Sequence, residues 1–125
     1  MTSKELGYLG EKIVTLYLEK KGYRILCRNY CIKGGEIDII AQIDDIIAFV
    51  EVKTRNPDSM SSGFEAITKV KKKLIVKTAI EYSYKNPNDF QPRFDVASVV
   101  LENNKVVDFN YIENAFDSTG LNIIM

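Results

Sequence analysis

The chain has 125 residues, with hydrophobic residues at 46% and charged residues at 27%, which suits a single domain, 1–125, with a real core. The formal net charge is zero, so the distribution of charge says more about partners than its sum. No apolar run reaches the ~20 residues of a membrane span and the start lacks the apolar stretch of a signal peptide, so a cytoplasmic protein is expected, while the absence of histidine excludes serine–histidine and cysteine–histidine catalysis and histidine metal sites.

Thr2 and Ser3 ahead of Glu5 form a capping-type helix start. Leu6, Leu9, Ile13, Leu16 and Tyr17 then recur at helical spacing as far as Gly22. Tyr23 to Arg28 reads as a first strand and Lys33-Gly34-Gly35 as a turn. Glu36 to Gln42 and Ile46 to Thr54, joined at Asp44-Asp45, read as an antiparallel hairpin. Arg55 to Gly63, with Pro57, serines and a glycine, is a loop long enough to touch a ligand. Phe64 to Tyr84 carries Ile67, Val70, Leu74, Ile75 and Thr78, an amphipathic helix ended by Asn86-Pro87-Asn88-Asp89. Phe94 to Leu101 and Lys105 to Ile112 are two further strands about an Asn103-Asn104 turn, and the tail from Glu113 is weakly patterned. This order gives an α/β domain with a mixed sheet, the second helix serving as crossover between a parallel pair of strands.

Two of these strands carry the chemistry. Side chains alternate along a strand, so Asp38 shares a face with Glu36, and Glu51 with Lys53, while Ile37, Ile39, Val50 and Val52 point to the core. Two carboxylates rising from apolar strands are costly unless they bind something, and brought together they suit a hard dication, Mg²⁺ or Mn²⁺. Such an ion would activate a water and polarise a phosphate oxygen, and Lys53 beside it would position or deprotonate that water. The plain alternative is a surface pair of Glu51 and Lys53, worth little. Cys27 and Cys31, without histidine, read as reduced thiols rather than a zinc site.

The residues Gly34-Gly35-Glu36-Ile37-Asp38 followed by Phe49-Val50-Glu51-Val52-Lys53-Thr54-Arg55 resemble the PD-(D/E)XK signature of restriction-endonuclease-like nucleases. With Gly10-Glu11, Lys71, Arg93-Phe94-Asp95-Val96 and Glu113-Asn114-Ala115-Phe116, the likeness extends to the bacterial YraN-like family. Ile37 stands where the signature name places proline. The resemblance implies a three-layer core, a five-stranded mixed sheet flanked by helices, with Asp38 and Glu51 on the metal and Lys53 assisting the water. It also implies that Glu11, which matches a helix glutamate of the junction-resolving members, completes the metal site. From periodicity alone Glu11 sits at the margin of the apolar arc, and a solvated glutamate serves equally.

Glu36 is a candidate to support Asp38 or to hold a second metal, against the alternative of a solvated strand start. Lys71 falls inside the apolar arc of its helix and must meet a carboxylate or a phosphate. Lys69, Lys72, Lys73 and Lys77 form a basic face, either solvated or tracking phosphates. Arg55 and Arg93 could clamp phosphates in a bidentate manner, and Tyr23, Tyr30, Tyr82 and Tyr84 could stack on bases or simply pack. The leading expectation is a Mg²⁺-dependent endonuclease on structured or single-stranded DNA in repair or recombination, with a homodimer suited to a branched substrate. Its rivals are a non-catalytic nucleic-acid-binding accessory and a protein-interaction domain with a vestigial site.

Overall fold

The structure, a computed structural model, describes residues 2–59 and 67–121. Helix α1 spans Ser3–Lys20, and the expected cap is present: Glu5 N–H donates to the Thr2 hydroxyl and Thr2 N–H to the Glu5 carboxylate, both at 3.1 Å. The helix buries Gly10, Val14 and Leu18. Leu16, expected in the apolar stripe, is 53% exposed, because the buried line runs one position later along the helix. Gly22 ends the turn after α1 with φ +98, a left-handed conformation that glycine adopts without penalty.

Strand β1 is Arg24–Ile32, β2 Gly35–Ile43 and β3 Ile46–Arg55, followed by a 3-10 turn at Pro57–Ser59. β1 continues past the expected end at Arg28, because Asn29 takes a positive φ of 53 and the strand resumes. Arg55, expected to open a loop, still belongs to β3. Helix α2 covers Lys69–Lys85 and is capped by the Thr68 hydroxyl. The expected start at Phe64 lies outside the described residues, and Ile67 and Thr68 precede the helix. β4 is Gln91–Glu102 and β5 Lys105–Phe116, so the segment after Ile112 that lacked a pattern is strand. Asn103 and Asn104, both with positive φ, make the two-residue turn whose twist matches a hairpin.

The strands lie in the order β1-β2-β3-β4-β5. β3 and β4 run parallel and every other neighbouring pair antiparallel, as the crossover through α2 requires. The sheet is sandwiched between helices. Val14 and Leu18 of α1 pack on Ile39, Ala41, Ala48 and Val50. On the other face Ile75, Val76, Ala79 and Tyr82 of α2 pack on Ile37, Ile40, Ile47 and Phe49. The buried side of α2 differs from the expected arc: Val70 is 70% exposed and Leu74 38%. No helix among the described residues is long and apolar enough to cross a membrane.

Candidate active site

The ladder between β2 and β3 stops before the strands do. It runs from Ile43 opposite Ile46 to Ile39 opposite Val50. β2 stays paired with β1 as far as Gly35, and β3 stays paired with β4 as far as Arg55. The sheet therefore forks, and the first residues inside the fork are Asp38 on one arm and Glu51 on the other. The Val52 N–H donates to Asp38 Oδ2 at 2.7 Å, so the carboxylate takes a donor beyond the end of the β2–β3 ladder.

A local turnover of the strand aims Asp38 into this gap. Residues two apart on a regular strand share a face, yet Ile39 packs with the α1-side cluster and Ile37 with the α2-side cluster. The placement of all four of Ile37, Ile39, Val50 and Val52 on one face therefore fails at Ile37. On β1, Arg28 pairs with Ile39 and Tyr30 with Ile37, and Tyr30 too lies on the α2 side. Both strands turn over between these pairs, at Asn29 and Asp38. The left-handed φ of Asn29 is a conformation that asparagine tolerates better than most residues.

Each helix presses on one arm of the fork at a glycine. A Cβ on Gly10 of α1 would collide with the Thr54 side chain of β3, and one on Gly35 of β2 would collide with the Thr78 hydroxyl of α2. The first contact sets Glu11 beside the fork. The Glu11 side chain is only 15% exposed, and its Oε1 lies 3.9 Å from Arg28 Nη2. From the other face Lys71 of α2 reaches Glu51, with Nζ 3.6 Å from Oε1, the carboxylate contact expected of a lysine on that arc. Glu36 is exposed and shares with Lys71 and Gly35 the wall of a groove of about 320 Å³.

The acids perturb one another. Burial first, and then the charges of Glu51, Glu11 and Glu36, push the Asp38 carboxyl up to about 7 against the pull of the Val52 hydrogen bond. Burial also raises Glu51, with Lys71 and Lys53 pulling it down. Burial raises Glu11 as well, opposed by the Asn29 side chain and Arg28. Lys53 follows Glu51 by one full alternation on β3, opposite Ser98.

The remaining candidates separate. Lys72 lies over the Phe116 ring, 5.7 Å from its centroid, on the α2 side of the fork. Arg55 closes β3 opposite Val100. Arg93, proposed to clamp phosphates, is instead committed to the interior. It grips the fully buried Asp95 through Nε at 2.9 Å and Nη2 at 2.8 Å, and also contacts the Tyr23 hydroxyl. Tyr30 and Tyr82 meet edge to face in the core, whereas Tyr84 is 86% exposed. Arg28 and Asn29 escaped the sequence reading. The one available signal was an asparagine inside a strand, where that residue is disfavoured.

A dication is tested by its donors. Asp38 and Glu51 offer hard oxygens whose mutual repulsion such an ion would relieve. Among the described residues no three acidic or thiol side chains gather tightly enough to cage a metal. The pair alone is a set that Mg²⁺ accepts, because that ion binds through one or two carboxylates and keeps several waters.

The protein is thus of the α/β class, a mixed five-stranded sheet flanked by helices and forked between two acid-bearing strands. The model of the uncharacterised protein family UPF0102 matches residues 10–99, and the chain belongs to that family. Similar members include the UPF0102 protein of Alkaliphilus metalliredigens, 48% identical over 91% of this chain and 99% of that protein. Another is that of Dictyoglomus thermophilum, 42% identical over 93% of this chain and 100% of the relative. A third, from Syntrophomonas wolfei, is 44% identical over 91% and 99%.

Proposed function

We propose that this protein is a metal-dependent endonuclease of the PD-(D/E)XK type that cuts phosphodiester bonds in structured or single-stranded DNA, in the cytoplasm. The observation that carries the reading is the fork itself. A break in the ladder sets Asp38 and Glu51 on diverging arms, half-buried, with lysines from β3 and α2 beside them. Asp38 and Glu51 would hold Mg²⁺ or Mn²⁺, and Glu11, near enough to raise Asp38 but not gathered with the pair into a three-acid cage, would stand outside that pair. The ion would supply charge against the negative charge that builds at phosphorus.

The chain's own groups do the rest. Asp38, held to Val52 N–H, keeps one carboxylate oxygen fixed and leaves the other to the cleft. Lys71 offsets the charge of Glu51 and faces the groove shared with Glu36. Lys53 orients the attacking water. Lys69 and Lys72 line a groove with the end of β5 and Arg55 closes β3; these would track backbone phosphates, while Arg93 is held by Asp95.

A second reading, a nucleic-acid-binding accessory without catalysis, draws on the absence of a three-ligand cluster among the described residues. A cleavage assay separates the two. Labelled single-stranded, duplex, flap and four-way-junction DNA would be incubated with Mg²⁺ or Mn²⁺ and wild type, Glu51→Gln or Asp38→Asn. Metal-dependent cutting lost in both variants supports the nuclease, whereas binding without cutting, unchanged in both, supports the accessory.

A further inference from the structure

Among the described residues the buried side-chain atoms without a hydrogen-bond partner are Glu11 Oε1, Arg28 Nε, Arg28 Nη2 and Thr54 Oγ1. All belong to the junction of α1, β1 and β3 that walls the fork. The arginine stands out. Nε and Nη2 form the edge of a guanidinium that matches a phosphate or carboxylate with two parallel hydrogen bonds. Leaving such a charged edge without an acceptor costs more than leaving a neutral group so. Glu11 does not fill the need, because its Oε1 stands 3.9 Å from Nη2, beyond hydrogen-bonding distance.

The guanidinium is also held in place. Arg28 is paired with Ile39, one residue before the turnover at Asn29 and Asp38, and lies 5.7 Å from the centroid of the Tyr8 ring. Tyr8 itself is 63% exposed, so the cover over the arginine can swing away. Beside it stands Glu11, which with Glu36 and Glu51 acts on Asp38, and each of these carboxylates would repel a polyanion.

Resting on the nuclease reading, we propose that Arg28 is a substrate-binding residue that grips a backbone phosphate of the nucleic acid with its Nε–Nη2 edge once Tyr8 moves aside. It brings a polyanion against an acidic cleft, and its fork geometry is something lysine cannot copy.

The test measures binding, without metal, of a labelled single-stranded 12-mer to wild type, Arg28→Lys and Arg28→Gln, with thermal melts alongside. Both variants should melt near wild type and bind about tenfold or more weakly, and the salt slope should fall by ~0.7, the loss of one single-strand phosphate contact. Tyr8→Trp adds a readout, since the chain has no tryptophan, and its emission should change on binding only while Arg28 is present. Variants that melt lower yet bind within about twofold of wild type would make Arg28 a structural partner of Glu11. If wild type cuts DNA and Arg28→Gln cuts and binds equally well, the arginine proposal falls and the nuclease stands. If wild type neither binds nor cuts any nucleic acid, both fall.

Discussion

Gly10 of α1 and Thr54 of β3 touch so closely that no side chain fits between them. Gly10→Ala should therefore destabilise the fold by ~1–3 kcal/mol, the usual result of overpacking. Gly7, three residues earlier, has open space around its Cα, and Gly7→Ala should gain up to ~1 kcal/mol from helix propensity. Thermal melts of the two variants should move in opposite directions. Adding Thr54→Ala to Gly10→Ala should recover part of the loss, and strict additivity would refute the contact.

Asp38 carries a pH signature. Its carboxyl rises from an ordinary value of 3.8 to about 7, so between those limits the native protein holds a proton that the unfolded chain has released. Stability from this group is thus full at low pH and lost as pH climbs toward neutrality. Asp38→Asn, whose amide oxygen can still accept from Val52, should stabilise the metal-free protein by ~1–3 kcal/mol at pH 8 and little at pH 4, since each tenfold change in proton affinity is worth ~1.4 kcal/mol. Denaturant melts across that range check it. A variant less stable than wild type at pH 8 would mean that Asp38 is not crowded.

Lys71→Met separates chemistry from folding. Lys71 is half exposed, so its loss should change stability by no more than ~1 kcal/mol. Without it the Glu51 carboxyl rises further, because Lys71 is the main charge holding it down. On the proposed nuclease reading, cleavage at neutral pH should fall by about 10–100-fold and recover partly at higher pH. Loss of activity with an unshifted pH profile would remove Lys71 from this role.

Asp95 is the opposite case, a charge spent on structure. It is fully buried and accepts from Arg93, from the Tyr111 hydroxyl at 2.6 Å and from Asn114 N–H at 2.9 Å. It thereby serves the irregular stretch of the β4–β5 ladder between Phe94 and Val96. Asp95→Ala leaves the mostly buried Arg93 with only the exposed Glu113 carboxylate at 3.8 Å as a charge partner and should cost ~3 kcal/mol, with chemical denaturation as the measure. A loss below ~1 kcal/mol would show that the network is replaceable.

Local rules made much of this legible. The Thr2–Glu5 cap, the Asp44-Asp45 turn and the alternation of β3 all follow from nearest neighbours in sequence. The two acids and Lys71 could be singled out because charge on an apolar surface needs a reason. What stayed hidden depends on pairing between distant residues. The turnover at Asn29 and Asp38 breaks the period on which alternation relies, so alternation alone puts Ile37 on the wrong face. Arg93 reads as a phosphate clamp in sequence because nothing there shows that Tyr23, seventy residues away, joins Asp95 in holding it. β5 runs through polar residues past Ile112 because its partner β4, rather than its own hydrophobicity, holds it.

The two glycine contacts have a mechanical consequence. Gly10 lays the backbone of α1 against the β3 arm and Gly35 lays the β2 arm against α2, so each carboxylate-bearing arm has a helix pressed directly on it. A side chain added at either glycine would bear on Thr54 or Thr78 and reach the cleft through the strand itself.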